Sequence, residues 1–289
     1  MSAAITISKS KLVITPIQST KSKFILAENS RKNLIRNSKY NGYISKATTK
    51  RINCMIEGLI FGIEAHRKEI ALKSKSTKVQ PTFITLTLSY EQIQSDNYIK
   101  RNLLMRFIEE IKKTHGVVNY IWRAEPQVNG NIHFHIIIDK YVKWQWVRAV
   151  WNGIQENHEY LDAFQQKHGH RDPNSTDIHG LQKVHNIAAY ICKYMTKDKP
   201  IRKIKGRVWG CNKALHKMKN PRVEICEHLM ADIEELIKDG KAYKKVYEWC
   251  TVIKYKKLQI QETVNNIIYN IYQEFVSEFI HYNILEHGT

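Results

Sequence analysis

No stretch of this chain is apolar for the ~18 residues that a membrane helix needs, and its N-terminus has no long apolar core of the signal-peptide kind. It lacks a GxxxxGKS/T run, so nothing in it reads as a nucleotide-driven motor. Its five cysteines (Cys54, Cys192, Cys211, Cys226 and Cys250) are odd in number and form no CxxC pair. That fits a reducing compartment better than a disulfide framework. These absences together predict a soluble cytoplasmic protein with no membrane association. There is no internal repeat and no low-complexity tract.

Acid is scarce as well. Asp and Glu number 27 against 46 Lys and Arg, for a formal charge of +19. Such a charge destabilises a compact state by self-repulsion unless a polyanion offsets it. Nucleic acid is the commonest such partner, because each neutralised phosphate releases a counterion. A solvated basic surface or an anionic lipid would be the blander explanations. Hydrophobic residues make up 43% of the 289, enough for one large domain or a core domain with additions.

Residues 1–45 hold eight Lys/Arg against the single acid Glu28 and read as a loosely ordered basic arm. Helical spacing of Ile52, Met55, Ile56, Leu59, Ile60 and Ile63 predicts a helix over 46–72. FITLTLS (Phe83–Ser89) reads as a strand, Tyr98–His115 as a helix, Val117–Ala124 and Ile132–Asp139 as two antiparallel strands, and Trp144–Ile154 as a helix. His158–Thr176 reads as a loop and Leu181–Lys197 as a helix. Lys193–Arg222 carries eleven Lys/Arg against one acid, Asp198, and residues 227–239 and 258–286 look helical. The expected division is a basic arm and helix over 1–80, a catalytic domain over 81–222 and a helical region over 223–289.

Two features carry chemistry. His133 and His135 flank Phe134 in a strand, so both imidazoles share one face while Phe134, Ile136 and Ile138 face a core. Glu125 lies across the turn Gln127–Gly130, whose Asn-Gly pair is typical of a hairpin. A strict two-residue turn pairs Glu125 with Phe134, on the wrong face. A three-residue loop with a bulge pairs it with His135, on the right one, and Pro126 is compatible with an irregular ladder. Two imidazoles and a carboxylate leave open positions on a divalent cation. Imidazole suits metals softer than Mg²⁺, which favours Mn²⁺, and Gln127 is the alternative third ligand. The second feature is AAYICKYMTK (Ala188–Lys197). On a helix, Tyr190, Tyr194 and Lys197 share one face and Lys193 flanks it. A phenol becomes a nucleophile when a nearby cation or lysine favours its phenolate; the plainer reading of these tyrosines is packing.

FITLTLS, then WRAEPQVNGNIHFHIIID, then YICKYMTK resemble the three ordered motifs of HUH endonucleases, in which U is an apolar residue. The paired Tyr190 and Tyr194 look like the two-tyrosine rolling-circle initiators of small single-stranded DNA phages, and KGRVWGCNKAL (Lys205–Leu215) resembles a recurrent element of phage replication-associated proteins. The resemblance covers residues 80–216. It implies an α+β fold with a ferredoxin- or RRM-like antiparallel sheet and helices on one face, to which N- and C-terminal helical additions are joined. It also implies Mg²⁺ or Mn²⁺ on Glu125, His133 and His135, and attack on single-stranded DNA by Tyr190 or Tyr194 with Lys193 and Lys197 in support. A 5′-phosphotyrosine and a priming 3′-hydroxyl would result, at an origin and with a host helicase and polymerase as partners.

The basic residues Arg202, Lys203, Lys205 and Arg207, with Trp209 as a base-stacking ring, are the expected DNA contacts; Trp122 and Trp151 are expected in the core. Asp177 and His179 suggest a place near the metal, or equally a simple turn. A transposase or mobilisation relaxase would share the chemistry. A non-catalytic origin-binding protein would need only the charge. An iron oxygenase with two histidines and a carboxylate would leave the tyrosine pair and the charge unexplained.

Overall fold

The computed structural model describes residues 3–8, 11–17, 44–73, 81–180, 192–193, 202–255 and 268–274. In chain order the elements are strands β1 (Ala3–Ile7) and β2 (Lys11–Pro16), helix α1 (Lys46–Lys73), strand β3 (Thr82–Leu86), helix α2 (Met105–His115), strands β4 (Tyr120–Pro126) and β5 (Ile132–Ile138), helices α3 (Trp144–Glu156) and α4 (Tyr160–His168), strands β6 (Thr176–Gly180) and β7 (Trp209–Cys211), helix α5 (Lys213–Lys217), strand β8 (Arg222–Glu224), helix α6 (Glu227–Lys238), and strands β9 (Ala242–Tyr247) and β10 (Cys250–Tyr255). The fold is α+β, with two five-stranded antiparallel sheets. Among the described residues no helix is long and apolar enough to cross a membrane.

The chain divides into two compact units, one from Met1–Lys39 with Lys219–Val276 and one from Tyr40–Met218 with Ser277–Thr289. The larger unit holds the sheet β6-β3-β5-β4-β7. Alternation sorts its strands cleanly. Ile84, Leu86, Phe134, Ile136, Ile138, Trp122 and Ala124 point to one face and are buried. Helices α2 and α3 cover that face: Phe134 meets Trp151 edge-to-face at 6.4 Å, and Phe107 meets Trp151 at 6.1 Å. The Trp151 indole also donates to the Thr87 carbonyl at 2.6 Å. Helix α2 extends a helical turn at Asp96–Tyr98 and a π-helical stretch at Ile99–Leu104. The Ser95 hydroxyl caps this helical run by accepting from Tyr98 N, and Gly116, left-handed at φ 61°, ends it. Strand β7 needs Gly210, because a Cβ there would stand 2.7 Å from the Trp122 indole nitrogen.

Helix α1 lies on the other face. Its six helically spaced apolar residues are all buried, Met55 reaches within 3.8 Å of the Cys211 sulfur, and the Arg51 guanidinium donates to the His216 carbonyl at 2.6 Å. The expected loop over His158–Thr176 contains α4. Only Tyr160 and Leu161 of this short helix are buried, too little for apolar periodicity to show in sequence.

The smaller unit corrects the expected arm and the all-helical C-terminal region. Its sheet runs β8-β1-β2-β10-β9. Strands β1 and β2 bury Ile5, Ile7 and Leu12, and β10 buries Ile253 and Tyr255. The high charge of residues 1–45 hides the short alternating strands AAITI and KLVITP, and their outer partners β8 and β10 lie more than 200 residues away. Helix α6 appears where residues 227–239 predicted it, and residues 268–274 are helical within the expected 258–286. The rest of that expected helix lies outside the described residues.

Replacing Trp151 with Ala removes the ring that both aromatic contacts share and leaves the Thr87 carbonyl unpaired. We expect a loss of roughly 3–5 kcal/mol in chemical denaturation; a loss below about 1 kcal/mol would show that the α3-covered face is not the core.

Candidate metal centre

The hairpin β4–β5 sets the centre. Its turn is a three-residue loop, Val128-Asn129-Gly130: Gln127 N donates to Asn131 O at 2.8 Å, Gly130 N donates to Gln127 O at 2.9 Å, and Gly130 is left-handed at φ 87°. The ladder below runs without slip, and Glu125 pairs directly with His133. Both expected pairings, with Phe134 and with His135, are therefore corrected. The loop closes on Gln127 and Asn131, which puts Glu125 one step nearer the turn than the bulged register would. Glu125 keeps the face that a metal site requires, opposite His133 and diagonal to His135. Gln127 opens the turn and is not part of the cluster.

Glu125 Oε1, His133 Nε2 and His135 Nε2 form a triangle with sides of 3.1, 3.1 and 3.0 Å. Glu125 and His135 are buried and His133 is half-buried. Around an ion with ligands at ~2.1 Å, neighbouring octahedral ligands stand about 3.0 Å apart. The triangle matches one face of such an octahedron. His135 Nδ1 lies 3.1 Å from the Thr85 hydroxyl, and the Phe83 ring stacks on the same imidazole at 5.4 Å. With the Nδ1 proton given to Thr85, the Nε2 lone pair of His135 faces the other two donor atoms. His133 Nδ1 is buried without a hydrogen-bond partner among the described residues. Burial opposes ionisation of Glu125, but hydrogen bonds from both histidines and their charge hold its carboxyl well below the usual range. Burial lowers the His135 imidazole most, which keeps it neutral and able to ligate. The donor set and its geometry fit a divalent cation; the identity of the metal is not fixed by them.

A row of cross-strand neighbours passes through the centre: Asp177 in β6, Thr85, His135, Arg123 and Trp209 in β7. Asp177 is thus on a strand rather than in a turn or cap. Arg123 is buried, and it donates to the Val208 carbonyl at 3.1 Å. Thr85 is the ligand-orienting residue that sequence reasoning missed. Its only signal was its place in FITLTLS, two residues from Phe83.

Most of the predicted basic residues are described. Arg202 donates to both oxygens of buried Asp96 at 2.8 and 2.9 Å, to Gln92 Oε1 at 3.0 Å and to Gly130 O at 2.5 Å. Its guanidinium is committed to the protein, unlike the DNA contact expected of it. Lys205 N donates to Asp96 at 2.8 Å, and buried Lys100 reaches the carbonyls of Lys205 and Arg207. The backbone of 202–208 is thereby fastened to the hairpin end of the sheet, with the side chains of Lys203, Lys205 and Arg207 exposed. Trp209 is half-buried and stacks on His216 at 6.5 Å. Trp122 and Trp151 are core residues, as expected.

Tyr190, Tyr194 and Lys197 lie outside the described residues. Cys192 and Lys193 are helical, with Lys193 exposed. Burial pushes the Cys192 thiol up to about 12, and Glu57 of α1 adds to the effect, so this pair of residues sits near α1.

Residues 81–199, 119 of the 289, match a family of replication-associated proteins, the ORF2 type. The matched stretch contains the whole Glu125–His133–His135 cluster and both tyrosines. No curated protein and no solved structure matches the chain.

Two outcomes test this geometry. Thr85→Val should weaken Mn²⁺ binding roughly tenfold in an electron-paramagnetic titration, and Thr85→Ser should restore it; equal affinities for all three proteins would remove Thr85 from the centre. For Asp96, burial would raise the carboxyl, yet the hydrogen bonds from Arg202, Gln92 and Lys205 N, with the Arg202 charge, lower it from 3.8 to about 2. A depressed folded value stabilises above the unfolded one and is lost as pH falls between them. Asp96→Asn should therefore cost about 2 kcal/mol at neutral pH, with the penalty shrinking between pH 4 and pH 2; a pH-independent penalty would refute the ion pair.

Proposed function

We propose that this protein is a divalent-metal-dependent nickase of single-stranded DNA that initiates rolling-circle replication, of the HUH type with two tyrosines. The observation that carries the reading is the convergence of Glu125, His133 and His135 on one point, inside the stretch that matches the replication-associated family.

Glu125, His133 and His135 would hold Mg²⁺ or Mn²⁺. When bound, the ion supplies a Lewis acid that polarises the scissile phosphate. Thr85 fixes the His135 ring so that its Nε2 stays available. The phenolic oxygen of Tyr190 or Tyr194 attacks the phosphorus, losing its proton. The new O–P bond replaces the bond to the 3′ oxygen, which takes up a proton and leaves as a 3′-hydroxyl. The products are a 5′-phosphotyrosine and a primer end. Lys193 and Lys197 offset phosphate or phenolate charge. The second tyrosine repeats the step at the regenerated origin and permits strand closure. Lys203, Lys205 and Arg207 track the DNA backbone, and Trp209 offers a ring beside them. A host helicase and polymerase in the cytoplasm complete the reaction.

Support for bringing the tyrosines to the metal comes from their described neighbours. Cys192, between them in sequence, sits near α1, which packs on the metal face. Strands β6 and β7, which flank this stretch in the chain, form the two edges of the sheet that carries the centre. A transposase or mobilisation relaxase would use the same residues on a different DNA.

Incubation with 3′-labelled single-stranded origin DNA and Mn²⁺ should give a covalent adduct that survives denaturation. Chelation should abolish it, and His133→Ala should lower its rate by roughly a hundredfold or more. Tyr190→Phe with Tyr194→Phe should remove the adduct while DNA still binds. Binding with no adduct on any origin-derived strand would instead mark a non-catalytic origin-binding protein.

A further inference from the structure

The smaller unit lies wholly outside the family-matched residues, and one face of its sheet has a composition of its own. The register places Tyr243, Lys245 and Tyr247 of β9 on the same face as Val252 and Lys254 of β10, Lys11, Val13 and Thr15 of β2, Thr6 of β1 and Arg222 of β8. The opposite face is the core side, with Ile5, Ile7, Leu12, Ile253, Tyr255 and Ala242 all buried. A half-buried sheet needs polar or small residues on its outer face. Here the outer face instead exposes two aromatic rings, Tyr243 at 46% and Tyr247 at 43%. Trp249, in the β9–β10 turn, is 70% exposed.

Charge accompanies the rings. Lys245 stands between the tyrosines, with its ammonium 5.5 Å from the Tyr247 ring centre. Lys254 pairs directly with both Tyr243 and Lys11, and Lys245 pairs with Val252. Arg222 reaches Thr15 at 3.1 Å, and Glu224 is the acid that the register puts on this face. Tyrosines two same-face positions apart on a strand stand ~13 Å from one another, a spacing that two unpaired bases can span with a phosphate beside each lysine. Duplex DNA hides its base faces and would leave the rings without a partner. A protein partner with an apolar patch would leave the lysines uncompensated.

We propose that this outer face, centred on Tyr243, Lys245, Tyr247 and Lys254, is a second binding surface for single-stranded DNA, separate from the metal centre. Bases stack on the tyrosines and phosphates lie along the lysines. The choice of DNA over RNA rests on the nickase reading; the stacking and charge do not.

The full-length protein is titrated with fluorescent oligo-dT at several salt concentrations. Tyr243→Ala with Tyr247→Ala should weaken binding about tenfold or more, and the two Tyr→Phe changes should restore it. Lys245→Ala with Lys254→Ala should reduce the slope of log affinity against log salt by about 1.4, at roughly 0.7 per phosphate contact. Circular dichroism checks that each variant is folded, and adduct formation at saturating DNA should be unchanged, because none of these residues belongs to the metal centre. Unchanged oligo-dT affinity and slope in folded variants would overturn the proposal, as would equal losses for duplex and single strands. Failure of the nickase reading looks different: wild-type protein that binds oligo-dT through these residues yet forms no adduct would refute that reading and leave this surface standing.

Discussion

The account depends on the pairing of Glu125 with His133 across the β4–β5 hairpin. Side chains alternate along a strand, so a slip of one residue would send Glu125 to the packed face among Phe134 and Ile136. There its charge would be buried without a partner, at a cost of several kcal/mol. The register is therefore held from both sides. The turn closes on Gln127 and Asn131, Asn131 in turn bridges to Tyr90 and Gln92, and Phe134 is locked against Trp151 on the far face. The packed core and the metal centre specify the same ladder.

The second constraint is electrostatic. A chain with a charge of +19 has few acids to spend, yet it buries Asp96 at the foot of the basic segment. Asp96 takes the Arg202 guanidinium and the Lys205 amide, and Lys100 and Arg123 hold neighbouring carbonyls. The buried charges fix the backbone of 202–208, and the exposed ones, Lys203, Lys205 and Arg207, remain for a polyanion. A residue count of lysine and arginine does not separate these two roles; burial does.

Much of the larger unit was legible because its signals are local. The helical spacing of Ile52 to Ile63, the alternation in Ile132–Ile138 and the HxH pair all act within a few residues. Face and residue identity of the three donors followed from alternation alone. The exact pairing did not, since loop closure depends on how Gly130 turns and on the Asn131 bridge to the 88–92 loop. Thr85 and Asp96 were missed because each acts on a partner more than 40 residues away. The smaller unit was hardly legible, since its sheet joins the first residues of the chain to strands beyond residue 220. No window of the sequence contains both halves of that core.

Two units with different chemistry thus share one basic chain: a sheet whose inner row of polar residues converges on a cation, and a sheet whose outer face shows rings and lysines. The central claim is the first. Anomalous X-ray scattering from Mn²⁺-soaked crystals tests it directly. The account requires a peak about 2.1–2.3 Å from Glu125 Oε1, His133 Nε2 and His135 Nε2 together. A metal peak that touches none of these atoms, at saturating Mn²⁺, would contradict it.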